Sequence, residues 1–356
     1  MNKNGKIYVA GHTGLVGSAL LKNLKSKGYN NLLLKDISEL DLCDQPAVFN
    51  FFEKEKPEYV ILAAAKVGGI VANSTYRTQF IYENLQIQNN VIHASWLNRV
   101  KKLLFLGSTC IYPCNAPQPM PENCLLTSPL EYTNEPYAIA KIAGIKMCES
   151  YNIQYGTNFI AVMPTNLYGP GDNFDLEKSH VLPALLRKVF LAKLLMNNDW
   201  NIIRKDFDRL PVEGVSGKDT NDRILAKLTK YGISNNSVEI WGTGRPMREF
   251  LWSEEMAEAC VYIMENVNFE DLISDKKEIR NTHINIGTGK EISITGLATL
   301  ISNIVGYKGK FIFNPAKPDG TMRKLTDPSQ IHRLGWKHRI DIEEGVEKLY
   351  GWYLNN

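Results

Sequence analysis

Two residues four positions apart, Tyr137 and Lys141, are the most suggestive chemical pair in the sequence. On a helix, residues at this spacing lie on one face, so the lysine ammonium can approach the phenol and lower its pKa. A tyrosine tuned in this way can exchange a proton near neutral pH. Ser108 follows an apolar run and can hydrogen-bond the same substrate oxygen. The three residues therefore predict proton transfer at a substrate oxygen.

The pair alone is a weak signal, since a tyrosine and a lysine at this spacing occur by chance in many helices. In that alternative the lysine is solvated and the tyrosine is packed. Cys110, two residues after Ser108, adds a thiol that can act as a base when its pKa is lowered. The alternative interpretation of Cys110 is a small buried packing residue.

A glycine motif lies close to the N-terminus. Residues 6–10 are expected to form a buried strand, Gly11, Gly14 and Gly17 follow at once, and residues 18–25 have the pattern of an amphipathic helix. A strand, a glycine turn and a helix are the context in which such a fingerprint binds a dinucleotide. The glycines let the backbone approach the pyrophosphate, and the helix N-terminus faces its negative charge.

Composition narrows the class of protein. With 356 residues, 44% hydrophobic and 22% charged, the chain suits a soluble globular enzyme of one large or two moderate domains. A net charge of +3 is too small to indicate nucleic-acid or membrane binding. The six cysteines lack C-x-x-C spacing and the six histidines are scattered, so we expect neither disulfides nor a metal site. The N-terminus leaves no room for a signal peptide, and we expect a cytoplasmic location.

Strands and helices are predicted to alternate through the first half. Predicted strands lie at 6–10, 31–34, 59–64, 102–106 and 159–163, with helices at 47–54, 80–98 and 137–155. This alternation predicts an α/β fold with a Rossmann doubly wound parallel sheet. Ligands bind beyond the carboxyl ends of such strands. The Gly11 turn, Ala63–Ala64, Ser108 and Pro164–Asn166 should therefore converge.

The second half is less regular and predicts a smaller α+β substrate-binding domain. The expected boundaries are 1–172 plus about 249–288 for the NAD(P)-binding domain, and about 173–248 plus 289–356 for the substrate domain. Segments 250–266 and 283–287 are expected to return to the main sheet. Residues 193–237 are polar and charge-rich. They are either a surface insertion or a lid that contacts substrate.

Long strings of residues carry a family resemblance. They are segments 11–17, 62–73, 103–113, 134–144, 163–170, 179–187, 241–251 and 317–320. In these segments the chain resembles the GDP-L-fucose synthase family, the GDP-4-keto-6-deoxymannose 3,5-epimerases/4-reductases among the extended short-chain dehydrogenases. The resemblance covers nearly the whole chain except the insertion.

The resemblance implies a set of catalytic roles. Tyr137 would donate a proton to the sugar O4 while NADPH delivers hydride to C4, Lys141 would hold the nicotinamide ribose, and Ser108 would orient the carbonyl. Cys110 and His180 would exchange protons at C3 and C5, which are acidic because donors at O4 stabilise the enolate. Taken without the family, His180 would be interpreted as a helix-capping or core histidine.

The resemblance also implies binding residues. Cofactor contacts are expected from Gly11, Thr13, Gly14, Leu15, Val16, Gly17, Asp36, Asp41, Leu42, Ala63, Ala64, Lys141, Pro164, Asn166, Leu167 and His180. GDP-sugar contacts are expected from Asn166, Lys188, Trp241, Arg248 and Asn314. Cations suit a diphosphate, and a tryptophan can stack on a ring. Without the family, Trp241 would be ordinary core and Arg248 part of a surface salt bridge.

The chain departs from the family where the cofactor is selected. Thr13 and Ile37 stand where the family has arginines that bind the 2′-phosphate of NADP. Asp36 is a residue type that usually accepts hydrogen bonds from the ribose of NAD and repels that phosphate, although Lys35 could compensate. NADP(H) is the expected cofactor, with NAD(H) as the alternative.

Three departures concern the substrate. Lys188 replaces a family arginine and removes a bidentate diphosphate contact. Asn314 replaces an aspartate, and Thr109 replaces a serine beside Cys110. Some bacterial relatives reduce GDP-linked heptoses for capsule synthesis. A dedicated C4-reductase of a GDP-4-keto-6-deoxyheptose, without epimerase activity, is therefore the alternative function.

Other classes are weaker. A 4,6-dehydratase needs a carboxylate near Ser108, and residues 108–110 offer none. A 4-epimerase would recycle bound NAD without net consumption. A non-catalytic cofactor-binding scaffold is the non-enzymatic alternative, and an unaffected Tyr137→Phe variant would favour it. The resemblance suggests a homodimer built on helices 80–98 and 137–155.

Overall fold

The structure is a computed structural model that describes residues 1–274 and 277–356. Its strands are β1 (Ile7–Ala10), β2 (Leu32–Leu33), β3 (Tyr59–Leu62), β4 (Lys102–Leu106), β5 (Phe159–Pro164), β6 (Asn166–Tyr168), β7 (Ser237–Trp241), β8 (Met247–Arg248), β9 (Phe250–Trp252), β10 (Ile284–Ile286), β11 (Ile292–Ser293) and β12 (Lys310–Asn314).

The helices are α1 (Leu15–Ser26), α2 (Gln45–Glu55), α3 (Ile70–Thr75), α4 (Arg77–Leu97), α5 (Glu135–Tyr155), α6 (Val181–Met196), α7 (Trp200–Arg209), α8 (Asn221–Lys230), α9 (Ser253–Asn266), α10 (Ile294–Val305), α11 (Ser329–Arg333) and α12 (Ile342–Asn355). Short 3-10 turns occupy Thr109–Ile111, Glu122–Cys124 and Phe269–Leu272. No helix of the described ranges is both long and apolar enough to span a bilayer.

The main sheet has the order β10-β5-β4-β3-β1-β2, with every neighbouring pair parallel. Its strands are apolar on both faces because helices cover both faces. Along β1, Ile7 and Val9 join one core cluster, and Tyr8 and Ala10 join the other. The chain order reverses between β1 and β3, which is where such sheets bind ligands. The predicted doubly wound α/β fold is confirmed.

One predicted strand lies elsewhere. Ile284–Ile286 joins the main sheet beside β5, as expected. Phe250–Trp252 instead pairs in parallel with Asn166–Tyr168 in a separate two-stranded sheet. The expectation that both segments return to the main sheet was therefore wrong for β9. The reason is that the chain leaves β5 at Thr165, and the Asn166 amide donates to the Glu249 carbonyl oxygen at 2.8 Å.

Two compact units divide the chain. The first comprises 1–171, 249–290 and 325–340, and the second comprises 172–248, 291–324 and 341–356. Segment 325–340 was expected in the second domain, but the structure places it in the first. The Met120 N–H donates to the Leu325 carbonyl oxygen at 2.8 Å. Ile331 and Trp336 are buried in the first unit's core.

Within the second unit, β7 pairs in parallel with β12, and β8 pairs antiparallel with β11. The inserted segment 193–237 continues α6 and then forms α7 and α8. Ile203 and Phe207 on α7 and Ile224 and Leu228 on α8 are fully buried. The insertion is therefore a packed part of this unit, with its own contribution to the core.

Candidate functional site

The glycine turn between β1 and α1 is tightly constrained. Gly11 has φ of +80°, and a Cβ there would lie 2.7 Å from the Ala64 Cα. A Cβ on Gly17 would lie 1.9 Å from the Gly11 carbonyl oxygen. Only glycine fits either position. Gly14 forms the N-cap of α1 without a side-chain cap bond in the described structure, so first-turn N–H groups can bind an anion.

Other predicted cofactor residues occupy the same edge of the sheet. Ala63 follows β3 and donates its N–H to the Ala10 carbonyl oxygen at 3.0 Å, and Pro164 ends β5. Val16 and Leu167 pack against the core cluster, whereas Thr13 is exposed. The parallel register brings the glycine turn and Ala63–Ala64 together as predicted.

In the turn after β2, the Asp36 carboxylate is hydrogen-bonded by groups of the same turn. The Asp36 Oδ1 atom accepts from the Ser38 N–H at 2.8 Å, the Ser38 hydroxyl at 2.7 Å and the Glu39 N–H at 3.1 Å. The Ser38 side chain is the first cause that lowers the pKa of Asp36, followed by these backbone bonds. Lys35 pairs with Glu39 at 2.7 Å. Both charged residues are thus engaged within the turn.

Two further predicted residues follow in the same loop. The Asp41 carboxylate accepts from the Cys43 N–H at 2.8 Å, and the Leu42 side chain is buried. Ile37, by contrast, is 81% exposed. An apolar side chain so exposed is available to pack on a planar ligand group.

Tyr137 and Lys141 share one face of α5. Lys141 is 3% exposed, and its Nζ donates to the Leu106 carbonyl oxygen at 2.8 Å. The Nζ lies 4.7 Å from the Phe105 ring centroid and 5.7 Å from the Tyr137 ring centroid. Burial lowers the pKa of Lys141 to about 8. A Tyr–Lys pair therefore lies at the carboxyl end of β4.

The direction of the Tyr137 shift differs from the prediction. Burial raises the pKa of Tyr137 well above its usual value, and its electrostatic interaction with Cys110 raises it further. The predicted lowering by Lys141 was wrong, because the ammonium is held on the Leu106 carbonyl and desolvation of the phenol dominates. Tyr137 is therefore held protonated, as a proton donor requires.

Ser108 and Cys110 stand beside this pair. Ser108 caps the 3-10 turn Thr109–Ile111, where its Oγ accepts from the Cys110 N–H at 3.4 Å. Cys110 is 7% exposed, and its charge affects the pKa values of both Tyr137 and Lys141. Its burial fits either interpretation of the cysteine, but its neighbours place the thiol at the site. All six cysteines are described, and none forms a disulfide.

In the second unit, Trp241 and Asn314 are register partners at the carboxyl ends of the parallel strands β7 and β12. Trp241 is 48% exposed, which rules out the core interpretation. The Lys317 Nζ lies 5.1 Å from its ring centroid. An exposed indole with a nearby cation provides a face for stacking a ring.

Two cations lie near these strands. The Lys188 Nζ donates to the Glu239 carbonyl oxygen at 3.2 Å, and burial lowers the Lys188 pKa to about 8. Arg248 donates to the carbonyl oxygens of Met247 at 2.8 Å and Thr321 at 2.6 Å. Burial also lowers the pKa of Arg248, so it is not the exposed salt-bridge residue of the alternative interpretation.

His180 occupies the N-cap position of α6. Its side chain is exposed and makes no capping bond within the described structure. Neither the capping nor the core interpretation therefore describes it. Although its side chain is exposed to solvent, partial desolvation by nearby atoms is the first cause that lowers the pKa of His180, and the Lys324 ammonium is the second. A lowered pKa favours the neutral imidazole, which has a nitrogen lone pair that can accept a proton.

One buried carboxylate was missed by the sequence reasoning. Glu249 is 0% exposed and accepts from the N–H groups of Thr288 at 2.6 Å, Gly289 at 2.7 Å and Thr326 at 2.9 Å. It fixes the loop after β10 against the start of segment 325–340. A glutamate directly before an apolar strand was the available signal.

A family model decides the classification. The description "NAD dependent epimerase/dehydratase family" matches residues 7–204 and 211–287. The chain belongs to this family. The predicted Rossmann fold of the extended short-chain dehydrogenases is thereby confirmed.

Several proteins that match the chain over its full length carry related names. A GDP-L-fucose synthase of Arabidopsis thaliana is 48% identical over 100% of this chain and 95% of its own length. The crystal structure of a GDP-6-OMe-4-keto-L-xylo-heptose reductase from Campylobacter jejuni is 51% identical, with a TM-score of 0.93 over 100% and 99% of the two chains. A GDP-mannoheptose C4 reductase from the same organism, with NADP bound, is 50% identical, with a TM-score of 0.89 over 99% of each chain. The resemblance to GDP-L-fucose synthases is confirmed.

Proposed function

We propose that the chain is an NADPH-dependent C4 reductase of a GDP-4-keto-6-deoxy sugar. The observation that carries this proposal is the pairing of half-buried Tyr137 with buried Lys141 beside Ser108, at the carboxyl end of β4 in the parallel sheet. Burial keeps Tyr137 protonated, so the proton that O4 requires is present on the phenol. Relatives named as GDP-sugar synthases and reductases support the substrate class.

Each residue of this set has a distinct task. Tyr137 gives its proton to O4 of the sugar as the carbonyl becomes an alcohol. Ser108 donates a hydrogen bond to the same oxygen and orients the carbonyl. Lys141 positions the nicotinamide ribose through its buried ammonium, which the Leu106 carbonyl oxygen holds in place. When bound, NADPH supplies the hydride for C4.

For the cofactor, we propose NADP(H), with NAD(H) as the alternative. The glycine turn offers the close backbone approach that a pyrophosphate needs. A relative solved with NADP supports the phosphorylated form. The Asp36 Oδ1 is occupied by its own turn, which weakens the usual preference of an aspartate for NAD. With Thr13 in place of an arginine, however, the 2′-phosphate gains less charge-assisted bonding.

In this proposal, the two units bind different ligands. The first would bind NADP(H) and the second the GDP moiety, through Lys188, Trp241, Arg248 and Asn314. The amine and guanidinium groups suit a diphosphate, and the exposed indole suits a ring. Asn166, in the first unit, would contribute a sugar contact.

A second activity is proposed for Cys110 and His180, which is proton exchange at C3 and C5 of the sugar. The alternative is a dedicated C4-reductase of a GDP-4-keto-6-deoxyheptose in surface-polysaccharide synthesis. Heptose reductases at 50% and 51% identity favour that alternative. Deuterium incorporation at C3 and C5 from heavy water would demonstrate the exchange activity and contradict the dedicated reductase.

We further propose a cytoplasmic homodimer. α4 and α5 pack on one another and still expose Tyr82, Leu97, Ile153 and Tyr155, each between 47% and 59%. A second copy would cover these side chains. Reduced cysteines fit a reducing compartment.

The test incubates the pure protein with NADPH or NADH and with GDP-4-keto-6-deoxymannose or a GDP-4-keto-6-deoxyheptose. Absorbance at the nicotinamide band gives the rate, and NMR identifies the product. Turnover with at least one substrate, lost in Tyr137→Phe, is the expected result. Cofactor binding without turnover of either substrate would favour the scaffold and contradict the proposal.

A further inference from the structure

A fully buried ion pair joins the inserted segment to α6. The Nε and Nη2 atoms of Arg187 donate to Oδ1 of Asp206 on α7, at 3.0 and 2.8 Å. The two side chains are 0% and 2% exposed. Arg187 also donates to the carbonyl oxygens of Phe174 at 3.2 Å and Leu210 at 2.5 Å. The guanidinium is therefore satisfied entirely inside the second unit.

The second carboxylate oxygen of Asp206 is also engaged. Its Oδ2 accepts from the Tyr353 hydroxyl on α12 and from Arg209 at 3.4 Å. Arg209 in turn donates to the Tyr353 carbonyl oxygen at 2.7 Å. We call Arg187, Asp206, Arg209 and Tyr353 the Asp206 network. It ties α6, α7 and the C-terminal helix together.

The helix held by this network carries proposed site residues. His180 is the N-cap of α6, and Lys188 directly follows Arg187. The Lys188 Nζ donates to the Glu239 carbonyl oxygen on β7, two residues before Trp241. Two consecutive residues of α6 are thus anchored, Arg187 by Asp206 on α7 and Lys188 by the strand that carries Trp241.

Stability alone does not account for a buried ion pair. Replacing such a pair with well-packed apolar residues is often neutral or stabilising, whereas removing one partner is strongly destabilising. What the pair adds is direction, because the planar guanidinium is held at once by the Asp206 carboxylate and by the carbonyl oxygens of Phe174 and Leu210. Rotation of α6 would break several of these bonds together.

We propose that Asp206 is a positioning residue that fixes the rotation of α6 through Arg187 and thereby places Lys188 and His180 for the GDP-sugar. The inference rests on the proposed function. In this proposal, the insertion (193–237) stabilises the orientation of α6 through Asp206 and does not act as a lid that opens and closes.

The experiment compares Asp206→Asn with Asp208→Asn, the same chemical change at an exposed position of the same helix. Asp206→Asn should raise the KM for the GDP-sugar roughly tenfold, because small misplacements of binding groups are costly. The Kd for NADPH should change much less than this KM, since His180 is the only expected cofactor contact at α6 and the others lie in the first unit. Asp208→Asn should change neither constant.

A second readout does not depend on activity. Amide hydrogen exchange in residues 181–196 should be faster in Asp206→Asn than in Asp208→Asn, because the helix loses an anchor. Tyr353→Phe removes one hydrogen bond and no charge. It should shift KM and exchange in the same direction by less, and it provides the test if Asp206→Asn does not fold.

Failure of the Asp206 proposal and failure of the proposed function give different results. A lower melting temperature in Asp206→Asn with wild-type KM and wild-type exchange in α6 would show a structural residue only and overturn the proposal. The proposal is equally overturned if Asp206→Asn does not fold and Tyr353→Phe behaves as wild type in both readouts. If the wild type binds NADPH yet turns over no GDP-sugar, the proposed function itself fails, and the wild-type control reveals that before any variant is compared.

Discussion

The Lys141 ammonium donates to the carbonyl oxygen of Leu106, the last residue of β4, at 2.8 Å. This bond holds a buried cation at the carboxyl edge of the parallel sheet, on the same helix face as Tyr137. Because the carbonyl restricts the ammonium, its charge acts at a fixed position rather than through a mobile side chain. This hydrogen bond therefore attaches the helix that carries Tyr137, the proposed proton donor, to the end of β4.

The pH dependence of turnover should report this cation. Burial lowers the Lys141 pKa to about 8, so the ammonium is lost as pH rises through that value. With saturating GDP-sugar, we expect kcat to fall about tenfold per pH unit above it. Lys141→Arg, whose guanidinium does not titrate there, should be slower but independent of pH. A wild-type kcat that stays constant to pH 10 would contradict this role for Lys141.

The same shift has a consequence for stability with a defined sign. Because folding disfavours the ammonium of Lys141, its destabilising effect is full below about pH 8 and disappears as pH approaches the ordinary lysine value of 10.5. Lys141→Met should therefore be more stable than the wild type below about pH 8, and the difference in the free energy of unfolding should disappear as the pH approaches 10.5. Urea denaturation at several pH values measures this difference.

Lys188 should govern substrate affinity rather than rate. Burial lowers its pKa to about 8, so its charge is also lost in mildly alkaline solution. The wild-type Kd for GDP should rise above that pH, whereas Lys188→Arg should retain its affinity to about pH 9.5 and bind more tightly at neutral pH through bidentate contact. Calorimetric titration measures both. Equal pH profiles for the two proteins would assign the titration to another group.

Thr13 should limit the preference for NADPH. Thr13 is exposed on the glycine turn, where an arginine could reach a 2′-phosphate. Thr13→Arg should lower the Kd for NADPH by about tenfold and leave that for NADH unchanged. Thr13→Gln, similar in length but uncharged, is the control. Fluorescence titration gives each Kd, and an equal gain for both cofactors would exclude selection by the phosphate.

Glu249 should be important for folding. Its buried carboxylate accepts from Thr288, Gly289 and Thr326, and an amide would oppose some of these donors with its own N–H. Glu249→Gln should reduce the free energy of unfolding by about 3 kcal/mol. Glu270→Gln, at an exposed position, should change it little. Denaturation of the two variants within experimental error of one another would refute the role of Glu249.

Residue spacing within short segments correctly predicted the features that depend on neighbouring residues. The glycine spacing identified the β1–α1 turn, and the Tyr–Lys spacing identified the shared face of α5. Features that depend on contacts between distant residues could not be predicted from local patterns. The partner of β9 and the unit of segment 325–340 depend on hydrogen bonds to distant residues, such as Thr326 to Glu249. The Tyr137 pKa depends on burial, which sequence spacing does not reveal.

The central claim is reduction at C4 with Tyr137 as proton donor, and the fate of a labelled hydride tests it most directly. The protein is incubated with NADPH deuterated at the transferable C4 position and a GDP-4-keto-6-deoxy sugar, and the product is examined by NMR. We predict one deuterium at C4 of the sugar in a single configuration, with formation at least about 100-fold slower in Tyr137→Phe. Product without deuterium at C4, or a Tyr137→Phe variant as fast as the wild type, would contradict the account.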